Sequence, residues 1–176
     1  MAAGIPGTRP YAVQSGSVYA QPYPPRPVPL SAFGTPLSGW WRRVGAYLID
    51  QLVLLIPVTI LAIIVGAVGT TSHWPLSVLD LLETAVVVTI EASYFAILNG
   101  VEEGQTVGNI ATGIAVRDAQ TGAIIGIGRS LLRWVVRLLL YVFTLPGIIS
   151  DLWPLWDAQH QTLADKTCGT VVIRVR

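Results

Sequence analysis

"RRVGAYLIDQLVLLIPVTILAIIVGAV", residues 42–68, opens on two arginines, places a single carboxylate at Asp50, and carries no charge after it. From Val44 to Val68 a helix would run about 37 Å at 1.5 Å per residue, enough to cross a hydrocarbon core with some tilt. The stretch is predicted as a transmembrane helix over 44–68, kinked locally at Pro57. An acid inside such a helix needs a partner or water, because ionisable groups at membrane depth are costly and turn away from lipid.

Composition agrees with this reading. Hydrophobic residues make up 52% of the 176 and charged residues only 12%, and mean hydropathy is +0.60. Soluble domains carry roughly 25% charged residues. A net charge of +1 and scattered basic residues argue against nucleic-acid binding. A lone cysteine, Cys168, excludes an internal disulfide, and with His73 and His160 far apart no metal-ligand spacing appears. Cys168 reads as a small packing residue, and no cofactor or metal is expected.

Residues 1–38 are rich in Pro, Gly, Ser, Tyr and Ala and include "QPYPPRPVP", which favours solvated polyproline II. This part is predicted as a disordered cytoplasmic leader, or as a docking ligand for an aromatic-lined groove. It has no apolar h-region behind a basic start, so a cleaved signal peptide is not expected. The membrane domain is placed at 39–176, and no internal repeat is evident in it.

A second span is predicted over 76–98, "LSVLDLLETAVVVTIEASYFAIL", after a short loop that lacks Lys and Arg. Its acids, Asp80, Glu83 and Glu91, indicate that it does not face lipid all round. Arg42 and Arg43 precede the first span, and Arg117 and Arg129 follow the second. The positive-inside tendency therefore puts the N-terminus and residues 99–130 in the cytoplasm, in a multi-pass protein of the plasma membrane.

"ATGIAVRDAQTGAIIG", 111–126, partly alternates and reads as a β-hairpin turning near Asp118 to Gly122, with "GTVVIRVR", 169–176, as a third strand. Between them lies "SLLRWVVRLLLYVFTLPGIISDLWPLW", 130–156, apolar but carrying Arg133 and Arg137 on one helical face and broken by Pro146 and Gly147. A broken or re-entrant excursion satisfies both strand pairing and charge bias; three simple spans are the alternative. The fold class is thus an all-α transmembrane bundle of two firm spans and a third broken helix, with a short cytoplasmic β element.

Helical spacing groups the charges. Arg43 and Asp50 are seven apart and share a face with Tyr47 between them. Glu91 precedes Asn99 by eight residues, roughly 12 Å from the cytoplasmic end, so it lies at a depth similar to that of Asp50. Arg133 and Arg137 enter from the same side. An inward cluster of Arg43, Asp50, Glu91 and Arg137 is the least costly arrangement, with Arg43 neutralising Asp50 and Arg137 facing Glu91. Asp80 and Glu83 fall near the outer end and read as hydrated. Trp40, Trp41, Trp153 and Trp156 fit interfacial anchors.

The chain resembles the RDD family of bacterial membrane proteins, named for one arginine and two aspartates. "RRVGAYLID" is similar to its opening motif, "GQTVGNIATGIAVRDAQTG" to its Gly-Gln-Thr turn, and "SLLRWVVR" and "LWPLWDAQHQTLADKTCGTVV" to its later blocks. The four blocks occur in order over about 40–174. By this resemblance Arg43 is the arginine, Asp50 the first aspartate and Asp165 the second. Asn109 stands where members commonly carry a basic residue. The Pro-rich leader is similar to those of actinobacterial membrane proteins.

The resemblance implies a protein of undefined function, with transport suggested and sodium/proton exchange implicated for some members. Asp50 and Glu91 are then the candidates for ion or proton coupling, against a purely structural role as helix pins. Arg133 and Arg137 are the candidate charge partners, and Asp165 is expected on the cytoplasmic surface, holding the C-terminal segment. A conducting path from so few spans calls for a homo-oligomer or a larger membrane partner. The competing class is a non-transporting adaptor that recruits partners through its Pro-rich tail. No nucleophile, base and orienting group assemble with recognisable spacing, so an enzyme is not expected.

Overall fold

The computed structural model describes residues 28–101 and 103–176. In chain order these form α1 (Trp40–Thr71), α2 (Leu76–Gly100), α3 (Val107–Thr112), β1 (Ile114–Asp118), α4 (Gly126–Val142), α5 (Leu145–Leu152), a 3₁₀ turn (Trp153–Leu155), α6 (Leu163–Cys168) and β2 (Thr170–Arg174). Among the described residues, α1 and α2 are the two helices long and apolar enough to cross a membrane.

α1 extends past the predicted span at both ends and, at 32 residues, is about 48 Å long. It continues through Pro57, whose missing N–H costs one ladder bond. Leu52, Leu55, Ile56, Ile60 and Ile63 along it are all exposed, a belt suited to acyl chains rather than water. The helix closes at Ser72, whose N–H donates to Val68, and His73 (φ 55°) turns the chain back toward α2. The 72–75 loop thus lies at one end of the α1–α2 pair and the sheet at the other.

The sheet differs from a hairpin. β1 pairs antiparallel with β2 from Ile114↔Arg174 to Asp118↔Thr170. The turn at 118–122 does form, held by Asp118 Oδ1 accepting from the backbone N–H groups of Gln120 and Thr121. The chain beyond it enters α4 instead of a second strand. Residues 36–38 extend the other edge of β2, with Ser38 N–H donating to Val172 O and Arg174 N–H to Pro36 O, both at 2.8 Å. The packed structure therefore reaches back before residue 39; the rest of the Pro-rich leader, 1–27, lies outside the described residues. Alternation along the strands gives the sheet two faces. Ile114, Val116 and Val172 pack on Ala46 of α1, and Ala115, Val171 and Ile173 pack on Leu37.

Because the strands pair, the 126–152 segment leaves the sheet and returns to it. It is broken as expected, though at Thr144 (φ 48°), just ahead of Pro146. α4 and α5 fold back on each other, tied by Arg137 to Asp151 at 2.9 Å.

The expectation of no internal repeat is corrected. "QTVGNIATGIAVRD" (105–118) and "QTLADKTCGTVVIR" (161–174) form the same unit. In each, a threonine hydroxyl, Thr106 or Thr162, caps a six-residue helix by accepting from the N–H of Asn109 or Asp165. Each helix stops at a left-handed glycine, Gly113 or Gly169, and passes into a strand. The glutamine side chains span their units alike, Gln105 to Ile114 O at 2.6 Å and Gln161 to Thr170 O at 2.8 Å. Equivalent residues Val116 and Val172 face each other at the centre of the ladder, so an approximate two-fold axis passes between them. Only a few identities survive between the copies, too few for residue patterning to reveal.

Candidate functional site

The first unit delivers its helix start to Asp50. Gly108, near the beginning of α3, lies so close to α1 that a Cβ would sit 2.0 Å from Ala46 O. That approach brings the Gly108 N–H to Asp50 Oδ1 at 2.7 Å. Tyr94 of α2 donates its hydroxyl to the same oxygen at 2.7 Å, and Thr106 donates to Oδ2 at 2.7 Å. Asp50 is 2% exposed and receives three donors, two from the start of α3 and one from α2. The pocket around it suits an acceptor-only group and pins α1, α2 and α3 together. Arg43 does not neutralise it, contrary to expectation: a same-face spacing of seven brought the two side chains to one side of α1, but backbone and hydroxyl donors reach Asp50 first.

The second unit delivers Asp165, and here the arginine is found. Arg43 Nη1 donates to Asp165 Oδ2 at 2.7 Å and Arg133 Nε to Oδ1 at 2.6 Å. Thr162 N–H at 3.1 Å and the Thr170 hydroxyl at 3.1 Å occupy the remaining acceptor positions. Asp165 is fully buried, not on the surface as its position beside Lys166 indicated. Burial alone would raise its carboxyl, but Arg133 and Arg43 outweigh this and hold it well below the usual carboxylate range. The arginine from the start of α1 and the aspartate from the end of the chain thus clamp α1, α4 and α6. Asn109 is the equivalent of Asp165 in the first unit, and its amide donates to Asn99 Oδ1 at 3.0 Å.

Arg137 pairs with Asp151, which also accepts from the Tyr141 hydroxyl. Its guanidinium lies 4.4 Å over the Tyr47 ring. The Glu91 carboxylate itself makes no hydrogen bond among the described residues. Asp80 and Glu83 are exposed at the far end of α2. Trp41 and Trp156 are exposed, while Trp40 Nε1 donates to Asp151 O at 2.7 Å.

Between α1, α2 and α4 lies a cavity of about 370 Å³. Arg43, Asp50, Glu91, Arg133 and Arg137 all line it, so the expected residues share one chamber although their pairings differ. Asp151 and Tyr94 were missed as partners; Asp151 sits in an apolar, Pro-broken stretch where only the structure shows which way the chain folds back. Cys168 is buried, and burial pushes its thiol up.

Two apolar helices, a small helix–strand repeat and a buried Arg–Asp–Arg clamp define a compact helical membrane domain. The RDD family model matches residues 37–169, and the chain belongs to the RDD family. Two curated relatives, the proline-rich antigen homologs of Mycobacterium tuberculosis strains CDC 1551 and H37Rv, are each 33% identical over 72 residues. Those matches cover 41% of this chain and 29% of each relative, so the chain spans less than a third of their length. No solved structure matches.

Proposed function

We propose that this RDD protein takes part in transport across the plasma membrane, exchanging a proton or cation at Glu91 within the cavity. The observation that carries this is a carboxylate on a membrane-length helix that lines a cavity of about 370 Å³ without a hydrogen-bond partner among the described residues. Intramembrane ionisable groups facing a cavity mark ion paths. Asp50, the other coupling candidate, is read as fixed scaffold because three donors hold it. Arg43 and Asp165 are read likewise as a structural clamp.

Orientation follows from charge. Arg42, Arg43, Arg117, Arg129, Lys166, Arg174 and Arg176 cluster at the sheet end, and the 72–75 loop has no Lys or Arg. By the positive-inside tendency this supports a reading in which the sheet and the N-terminus face the cytoplasm in a multi-pass arrangement. Two spans do not enclose a path across the bilayer, so the proposal includes a second copy or a larger membrane partner. Binding and exchange, rather than catalysis, are the roles assigned to the cavity.

The test is purified protein in proteoliposomes with a trapped pH dye and an imposed sodium or potassium gradient. Cation-driven pH change is expected, reduced about tenfold or more by Glu91→Gln, equivalent to roughly 1.4 kcal/mol. Absence of pH change under any gradient, or full activity in Glu91→Gln, overturns the proposal.

A further inference from the structure

Arg43 carries donors that its known partner does not use. A guanidinium has five N–H groups, and Arg43 engages Asp165 through Nη1 alone. Its Nε and Nη2 are buried and have no hydrogen-bond partner among the described residues. Asp165 cannot take them, since its oxygens already accept from Arg133, Thr162 and Thr170 as well as from Arg43. Buried guanidinium donors left unmet are costly, so such groups point to something that binds there.

Charge and shape narrow what that is. Two guanidinium groups share the single Asp165 carboxylate, leaving one positive charge in excess at this end of the cavity. Of the other acids around the cavity, Asp151 holds Arg137 and Asp50 is occupied by three donors, while Glu91 lies on α2, away from the Asp165 clamp of α1, α4 and α6. Val44, Phe95, Trp134 and Leu138 supply an apolar wall beside the arginines. A volume of about 370 Å³ is in the range of small-ligand sites.

We propose that the Arg43–Arg133 end of this cavity binds an oxyanion of the carboxylate or phosphate class, its charge on Arg43 Nε and Nη2 and any apolar portion against Trp134 and Leu138. Planar guanidinium donors suit such groups better than a lysine does. Arg43 stands near the start of α1, the level at which headgroups meet a span, so the oxyanion comes either from an anionic lipid or from free solute. The inference rests on the cavity assigned above to transport, but binding requires no flux.

The experiment is quenching of tryptophan fluorescence in the full chain, in detergent, by 9,10-dibromostearate, with its methyl ester as the uncharged control. In parallel, the melting temperature is followed against added inorganic phosphate. A saturable quench by the acid that the ester does not give, weakened about tenfold or more in Arg43→Lys, supports a lipid-type oxyanion. Stabilisation by phosphate that is lost in Arg43→Lys, without acid-specific quenching, assigns the same site to a free oxyanion. Arg43→Lys keeps a cation for Asp165, and should it not fold, Val44→Phe fills the chamber and is expected to remove binding.

Equal response of wild type and variant to whichever probe acts, or the absence of both acid-specific quenching and phosphate stabilisation, overturns the inference. Binding without ion-driven pH change removes the transport reading alone, whereas pH change without binding removes only this site.

Discussion

Asp165→Asn removes one charge from a place where two guanidinium groups depend on it. The carboxylate is fully buried, 2.7 Å from Arg43 and 2.6 Å from Arg133. Asparagine keeps one acceptor oxygen but sets an NH₂ against N–H donors, and leaves both arginines without a counter-charge. Breaking a buried pair by removing one partner costs about 3–5 kcal/mol. At about 2–4 °C per kcal/mol for a chain of this size, the midpoint should fall by roughly 10 °C. Asp151→Asn is the matched control, since Arg137 and Asp151 are 32% and 30% exposed. A partly exposed pair holding a single arginine should matter less than the fully buried one, so Asp151→Asn is expected to melt closer to wild type than Asp165→Asn. Thermal unfolding in detergent, followed through the six tryptophans, reads both variants. If Asp165→Asn melts within about 3 °C of wild type, the clamp does not hold the domain together.

Gly108→Ala should destabilise by about 1–3 kcal/mol or prevent folding, because the added methyl meets the Ala46 carbonyl at 2.0 Å; yield and melting temperature report it. Acid sensitivity follows from three carboxyls held below their ordinary values. Asp118 is lowered by the Thr121 N–H and by Arg129, while Asp165 and Asp157 are lowered despite burial, by Arg133 and Arg43 and by Lys166 respectively. Such groups bind fewer protons folded than unfolded, so their contribution is complete above an unfolded value of about 3.9 and is lost as pH falls through the folded values. Melting temperature should therefore hold level down to about pH 5 and decline below about pH 4, less steeply in Asp165→Asn. Cys168, buried with its thiol raised, should react with a maleimide at neutral pH far more slowly in the folded protein than in denaturant.

Residue patterning located what rests on long runs. The spans of α1 and α2, the break in 130–156 and the β character of 114–118 and 170–174 all come from hydropathy, Pro and β-branched content, which act locally. The family resemblance added Asp165, far from Arg43 in sequence, although the expected pairing went to the nearer Asp50. That error has a physical origin: helical spacing tells which side a residue faces, not which of two distant carboxylates arrives there. The hairpin expectation failed for a related reason, since β-branched strands do not declare their partner and β1 takes the C-terminal strand. Gln105 with Gln161, Thr106 with Thr162, Gly113 with Gly169 and Val116 with Val172 are the visible trace of the repeat, and the rest of its likeness lies in backbone geometry.

Glu91 is proposed as the exchangeable carboxylate of the cavity, with Asp50 fixed by its donors. Infrared difference spectroscopy of the protein in lipid films, recorded as sodium is added or pH is stepped, follows carboxyl protonation itself. A carboxyl band that disappears in Glu91→Gln and persists in Asp50→Asn is expected. A band that persists in Glu91→Gln and vanishes in Asp50→Asn would contradict it.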